Sequence, residues 1–357
     1  MKRVLIGVAL VLVAALAGVY FFRGEIALAL LRRGAADGIR ADRMAALPDG
    51  LHAVFCGTGA PLPDRTRAGP CTGVVAGDKL FLFDVGEGAA ETLSLMGFLP
   101  AQVDAVFLTH LHSDHFDGIM PMALQRWASG AATTPMPVYG PQGVDRVAAG
   151  FNEAYAIDSG YRIAHHGEAI VPRSGFGLAP HPFAMPEGAD RAVVYDEGGV
   201  TITAFLVQHA PVTGAVGYRV DYAGRSLVIS GDTAKAASVA REARGADLLI
   251  HEALSPELSV LMGNAATASG RAGVGQIFHD ILDYHASPAE AAETAQEAGV
   301  GALALTHILP PLAVPGLEGP FLGDARSKYR GPLWIMRDGD VISLPRAGGV
   351  ERSHFLR

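Results

Sequence analysis

Apolar and polar positions divide the chain into two unlike parts. From Val4 to Phe22 no charged residue occurs, a run that reaches the roughly 20 apolar residues needed to cross the hydrocarbon core of a bilayer. From Leu51 onward the pattern changes to short apolar runs of strand length, alternating with Ala-rich stretches of helical period. Ala53–Cys56, Phe81–Phe83, Val103–Leu108, Ser226–Ile229 and Ala302–Leu305 read as strands. Pro288–Ala298 reads as a helix, with Ser287 as its N-cap and Pro288 at its first position. Strands interleaved with helices in this way predict α/β layering. No repeat or low-complexity tract interrupts it.

The basic head Met1-Lys2-Arg3 before the apolar run predicts an uncleaved signal anchor over residues 1–22. Ala15-Leu16-Ala17 offers a signal-peptide cleavage site, but the apolar run continues past it to Phe22. Such a head is the usual export pattern, so the expectation is a membrane-anchored chain whose main domain is extracytoplasmic. A count of basic residues gives the alternative, the cytoplasmic face, because Arg23, Arg32, Arg33, Arg40 and Arg43 follow the span. Residues 23–50 read as a connector, partly helical around Glu25–Arg33, and 51–357 as the main domain.

Half of the 357 positions are apolar, which suits one large domain or two small ones. The net charge of −8 provides no global field that would attract nucleic acid. Cys56 and Cys71 are too few for a disulfide scaffold. Cys56, at the end of the first strand, reads as a buried thiol, with a Cys56–Cys71 bridge as the lesser alternative.

The chemistry is concentrated in Thr109-His110-Leu111-His112-Ser113-Asp114-His115, directly after an apolar run. Neutral imidazole and carboxylate are ligands of zinc and similar metals, and a water on such a metal ionises near neutral pH. A lone histidine is usually a satisfied core or surface residue, but four ligand-type residues in H-x-H-x-D-H spacing at a strand end are not explained that way. His110 and His112 alternate along an extended segment and can face one side.

This run resembles the signature loop of the metallo-β-lactamase superfamily, and the resemblance extends over residues 51–345. Further places match in the family's order: Gly57-Thr58-Gly59; the strand Leu80–Phe83 with Asp84-Val85-Gly86-Glu87-Gly88; Gln208-His209; Ser230-Gly231-Asp232-Thr233; and Leu305-Thr306-His307. The resemblance implies a four-layer αβ/βα sandwich, of mixed α/β and α+β character, around a hydrolytic centre with two zinc ions. It implies that His110, His112 and His209 hold one ion, that Asp114, His115 and His307 hold the other, and that Asp232 bridges them. Asp114 would also serve the catalytic step, and Asp84 would support the histidine loop from outside, as such ligands require.

The segment His209-Ala210-Pro211, with Gly217-Tyr218-Arg219-Val220, resembles the tRNase Z and arylsulfatase branch, which cleaves phosphodiesters and sulfate esters. Pro63-Asp64-Arg65-Thr66-Arg67, His251-Glu252-Ala253 and His285-Ala286-Ser287-Pro288 point the same way. By resemblance His285 would give a proton to the leaving oxygen; its plain alternative is a helix cap. His251 and Glu252 read equally well as structural.

The family's tRNA-gripping arm corresponds to Val144–Val200, which here has no lysine and sets four arginines against eight acidic residues. Phosphate binding requires clustered cations. The expectation is therefore a zinc hydrolase of small sulfate or phosphate esters, with the membrane (through residues 4–22) as a partner and nucleic acid excluded. A tRNase Z-like 3′-tRNA processing endoribonuclease is the alternative, followed by a lactonase or a non-catalytic binding protein. Arg65 and Arg67 are expected to grip one phosphate or sulfate. Phe151–Gly167 reads either as a pocket wall or as a cover over the core, and a homodimer is left open.

Overall fold

The computed structural model describes residues 2–40 and 42–356, in two compact units, Met1–Arg43 and Met44–Arg357. The first unit is helical, with helices Lys2–Phe21 and Arg23–Arg40. Arg3–Phe21 has a mean hydropathy of 2.7, and none of it is buried. The second helix runs well beyond the expected Glu25–Arg33, through Gly34 and Gly38 to Arg40.

Among the described residues, the second unit is built on fifteen strands. Six open it: β1 (Gly50–Gly57), β2 (Cys71–Ala76), β3 (Lys79–Phe83), β4 (Val103–Phe107), β5 (Met136–Gly140) and β6 (Leu178–Pro182). Seven follow: β7 (Arg191–Glu197), β8 (Val200–Leu206), β9 (Val216–Tyr222), β10 (Arg225–Ile229), β11 (Leu248–Leu254), β12 (Ala302–Leu309) and β13 (Leu333–Ile335). The chain then returns to the first sheet with β14 (Asp340–Pro345) and β15 (Glu351–His354). The strand orders are β15-β14-β1-β2-β3-β4-β5-β6 and β13-β12-β11-β10-β9-β8-β7. Each sheet is antiparallel at one end and parallel at the other, β3 to β6 and β10 to β13 being parallel.

Alternation of side chains along each strand feeds different layers. In β3, Phe81 and Phe83 point between the sheets, while Leu80 and Leu82 point out to the helices on the first sheet. In β11, Leu248 and Ile250 face inward and Leu249 and Ala253 face the helices on the second sheet. Helices Ala89–Leu95, Ile119–Gly130 and Val144–Ala154 cover one sheet, and Ala237–Glu242 and Pro288–Ala298 cover the other. The result is the expected αβ/βα sandwich. Pro288–Ala298 has the expected bounds, and Ser287 caps it in a reciprocal pair with Glu290.

The cysteines differ from the expectation. Cys56 and Cys71 form a disulfide, Cα–Cα 5.1 Å apart and both buried. Antiparallel pairing of β1 with β2, with a register shift between Phe55 and Gly57, sets Cys56 beside Cys71. Cross-linking a 15-residue loop contributes about 3 kcal/mol by restricting the unfolded chain. Cys56→Ala with Cys71→Ala should therefore lower the unfolding free energy in urea by about that amount, relative to oxidised protein. An unchanged transition would show that the bridge contributes nothing.

Candidate metal centre

The ends of five strands and their following loops converge at one edge of the sandwich. After β4 the chain runs extended through His110 and His112 into the short turn Ser113–His115. Asp84, just past β3, lies in the left-handed region at φ 58°. From there its carboxylate accepts from the Thr109 N–H and hydroxyl and from His115 Nδ1, each at 2.8 Å.

Asp232 follows Gly231, whose φ is 61°; a Cβ there would stand 2.6 Å from the Val216 carbonyl oxygen. His307 sits at φ 48° where the β11–β12 register shifts, so that Glu252 pairs with Thr306 and Ala253 with Ile308. The extra residue in β12 re-aims the imidazole out of the ladder, as bulges near active sites do. Strained backbone at Asp84 and His307 persists because the surrounding bonds and packing hold it.

All seven expected ligand residues are brought together. Asp232 Oδ2 lies 3.3 Å from both His115 Nε2 and His307 Nε2, and 4.0 Å from both His110 Nε2 and His209 Nε2. Asp114 Oδ2 stands 3.5 and 3.6 Å from the same atoms of His115 and His307. His112 Nδ1 is 2.9 Å from His110 Nε2 and 3.3 Å from His209 Nε2. Ligand atoms ~2 Å from a tetrahedral zinc stand roughly 3.3 Å apart, so this donor set fits such an ion.

The unsatisfied atoms agree. His115 Nε2 and both ring nitrogens of His307 are buried without a hydrogen-bond partner, an arrangement that proteins avoid unless something else meets those atoms. Burial pushes the His110 imidazole well below its ordinary pKa, which keeps it neutral and able to ligate. Burial alone would raise the Asp232 carboxyl, but the His307 and His115 imidazoles hold it well below the usual carboxylate range. His209 is fixed by a 3.0 Å contact from Nδ1 to the Tyr284 carbonyl.

His285 stands beside this cluster, within 4.8 Å of ligand atoms of His209 and Asp232. Burial disfavours its charged form, but Glu252 and Asp232 outweigh that and raise its pKa to about 9. Glu252 resolves the even reading left by the sequence. Its Oε1 lies 3.0 Å from His285 Nδ1 and accepts from the Ala286 N–H at 3.0 Å and the Thr233 N–H at 3.1 Å. It therefore orients His285 and leaves the other ring nitrogen for the cleft. Glu252→Gln should keep the metal yet lose part of the ~10²–10⁴ in rate that a positioned imidazole supplies; full metal content with unchanged turnover would refute that role. His251 is buried with Nδ1 on the Glu252 carbonyl and takes no place in the cluster.

The structure narrows two other readings. Arg67 lines the same cleft as Arg65, but its side chain is only 7% exposed and its Nη1 donates to the Thr58 hydroxyl and the Met336 carbonyl at 2.5 Å, so it also ties loops together. Arg65 is exposed and lines a cleft of about 640 Å³ with Asp114. Phe151–Gly167 is a cover: Phe151 and Tyr155 pack on the outer core of the first sheet, and Ile163 joins Trp127 and Val171. No residue of Val144–Val200 lines the two clefts that open on the cluster. The wall that sequence reading missed is the helix Ala272–Asp280 with Tyr284, whose apolar residues gave no chemical signal.

Residues 81–308 match the model of the β-lactamase superfamily domain. A ribonuclease Z of Mycolicibacterium gilvum is 36% identical over 281 residues, 78% of this chain and 91% of the relative. A ribonuclease Z of Mycobacterium bovis is 35% identical over 290 residues, 81% and 96% of the two chains. In fold, human tRNase Z, short form, matches with a TM-score of 0.59 at 22% identity, covering 82% of this chain and 99% of that one. The metallo-β-lactamase fold protein YhfI of Bacillus subtilis matches with a TM-score of 0.57 at 21% identity, covering 82% and 98%.

These relatives correct the expectation of a hydrolase of small sulfate or phosphate esters with nucleic acid excluded. That expectation rested largely on the charge of Val144–Val200, but no residue of this segment lines either cleft. The chain belongs to the β-lactamase superfamily and, within it, to the ribonuclease Z family of metal-dependent phosphodiester hydrolases.

Proposed function

We propose that the protein is a tRNase Z-type endoribonuclease that processes the 3′ end of precursor tRNA. The observation that carries this reading is the 35–36% identity to ribonucleases Z over about four-fifths of the chain. His110, His112 and His209 would hold one zinc ion, Asp114, His115 and His307 a second, and Asp232 both. When bound, the ions would supply Lewis acidity toward the phosphate and an acidified water.

The chain's own residues do the rest. Asp84 fixes the ring of His115 through Nδ1, and the Tyr284 carbonyl fixes His209. Glu252 holds His285 so that its free nitrogen faces the cleft, where it gives a proton to the departing oxygen. Glu252 and Asp232 both favour the charged form of the ring, which suits that task. A direct test offers the zinc-loaded chain a precursor tRNA and a panel of aryl sulfates. Cleavage of the RNA alone supports the reading; hydrolysis of sulfates without RNA cleavage would sink it.

With this reading goes a location. The apolar helix would anchor the chain in a membrane, and Arg23, Arg32, Arg33, Arg40 and Arg43 against Lys2 and Arg3 would keep the main domain on the cytoplasmic face, where precursor tRNA is made. The buried disulfide weighs on the other side, because such bonds persist chiefly in oxidising compartments. A green fluorescent protein fusion after residue 50 should glow and an alkaline phosphatase fusion there should be inactive. The reverse pattern would place the domain outside.

A further inference from the structure

We propose that the cleft beside the metal cluster contains an apolar subsite for the nucleobase of the nucleoside that carries the leaving oxygen; this rests on the phosphodiesterase reading above. The cleft encloses about 500 Å³, within the ~300–1,000 Å³ usual for small-ligand sites. Its floor is made by cluster residues, among them Asp114, Asp232 and His307. One wall is the helix Ala272–Asp280 and the turn after it, which present Val274, Ile277 and Ile281.

Ile277 is 59% exposed. A single exposed isoleucine needs no explanation, but this one stands with two apolar neighbours over a charged, metal-type floor, with little protein cover. A phosphate with only its sugar would gain nothing from such a wall. A base has flat apolar faces that gain by leaving water against it.

His285 shares the cleft with this wall. Tyr284 and His285 are consecutive, their rings 4.9 Å apart, and both line this cleft. A nucleoside whose leaving oxygen lies at the cluster therefore shares this cleft with Val274, Ile277 and Ile281. Arg271 stands at the same cleft, exposed and with no ion-pair partner among the described residues. Its guanidinium suits the next phosphate along the strand. The wall thus acts on specificity, through the base, and the cluster acts on the bond.

The test is a cycle between protein and substrate. Full-length protein, purified in detergent and loaded with zinc, is given a hairpin RNA with a 3′ trailer, made either intact or with an abasic ribose in place of the leaving nucleoside. For wild type, removing the base should lower kcat/KM about tenfold or more. Ile277→Ser should lose a similar factor on the intact RNA, mainly through KM, with folding and zinc content unchanged, and lose nothing further on the abasic RNA. Equal losses for Ile277→Ser on both RNAs, or a wild type indifferent to the base, would overturn the subsite. So would a changed oligomeric state in Ile277→Ser without base dependence, which would assign the wall to a second copy of the chain. Wild type that cuts neither RNA would instead overturn the endonuclease reading, and the subsite with it.

Discussion

Asp232→Ala is expected to reduce turnover by at least roughly 10³-fold and to lower the bound metal, the largest effect of any single substitution in this protein. Asp232 Oδ2 lies within 4.0 Å of four imidazole nitrogens, those of His110, His115, His209 and His307. Removing it takes the shared carboxylate from both halves of the donor set and leaves buried imidazoles with nothing between them. Metal stabilisation of a developing charge is worth several kcal/mol, and each 1.4 kcal/mol is a factor of ten. His110→Ala should act in the same direction through one half of the set. Elemental analysis against activity checks the expectation: a variant with full metal content and near-normal turnover would show that the cluster is not assembled around this oxygen.

The second large effect is expected at His285. An alkoxide-like oxygen leaving a phosphodiester needs a proton as the bond breaks, and a positioned imidazole supplies ~10²–10⁴ in rate. His285→Ala should lose that factor on RNA while keeping its metal. Nitrophenolate leaves without such help, so hydrolysis of bis(p-nitrophenyl) phosphate should fall far less. A ligand or a helix cap would produce similar losses on both substrates, and metal loss in the variant would make His285 a ligand. The pairing with Glu252 sharpens the contrast, because Glu252→Gln should follow His285→Ala in substrate dependence, only more weakly.

Much of this centre was legible in the sequence because its ligands come in short runs at strand ends, where chemistry-bearing residue types stand out against apolar neighbours. His110, His112, Asp114 and His115 sit in one run, and Asp232 and His307 each follow an apolar strand. What was hard to read is what depends on contacts between distant segments. Glu252 and His285 are 33 residues apart, and nothing in either segment says that a carboxylate of one meets the imidazole of the other.

Cys56 and Cys71 are joined because β1 and β2 pair with a register shift, and a shift of one residue is invisible in composition. Arg67 looked like an oxyanion clamp for the opposite reason: an arginine beside turn residues reads as exposed, whereas Thr58, Met336 and Asp338 close around it. The substrate class was misread at the same level. Charge counted along Val144–Val200 assumes that the segment reaches the substrate, and its two helices Val144–Ala154 and Ala156–His166 do not line either cleft. The apolar wall of Val274, Ile277 and Ile281 could be assigned only after the fold had set it beside His285.

The central claim is that this cluster cuts RNA at the 3′ side of a tRNA body. The most direct measurement is to incubate zinc-loaded full-length protein with a precursor tRNA carrying a 3′ trailer and to sequence the ends of the products, with Asp232→Ala as the control. The account predicts a single cut at the mature tRNA 3′ end, absent from Asp232→Ala and from chelator-treated protein. An intact precursor, or cleavage that persists in Asp232→Ala, would contradict it.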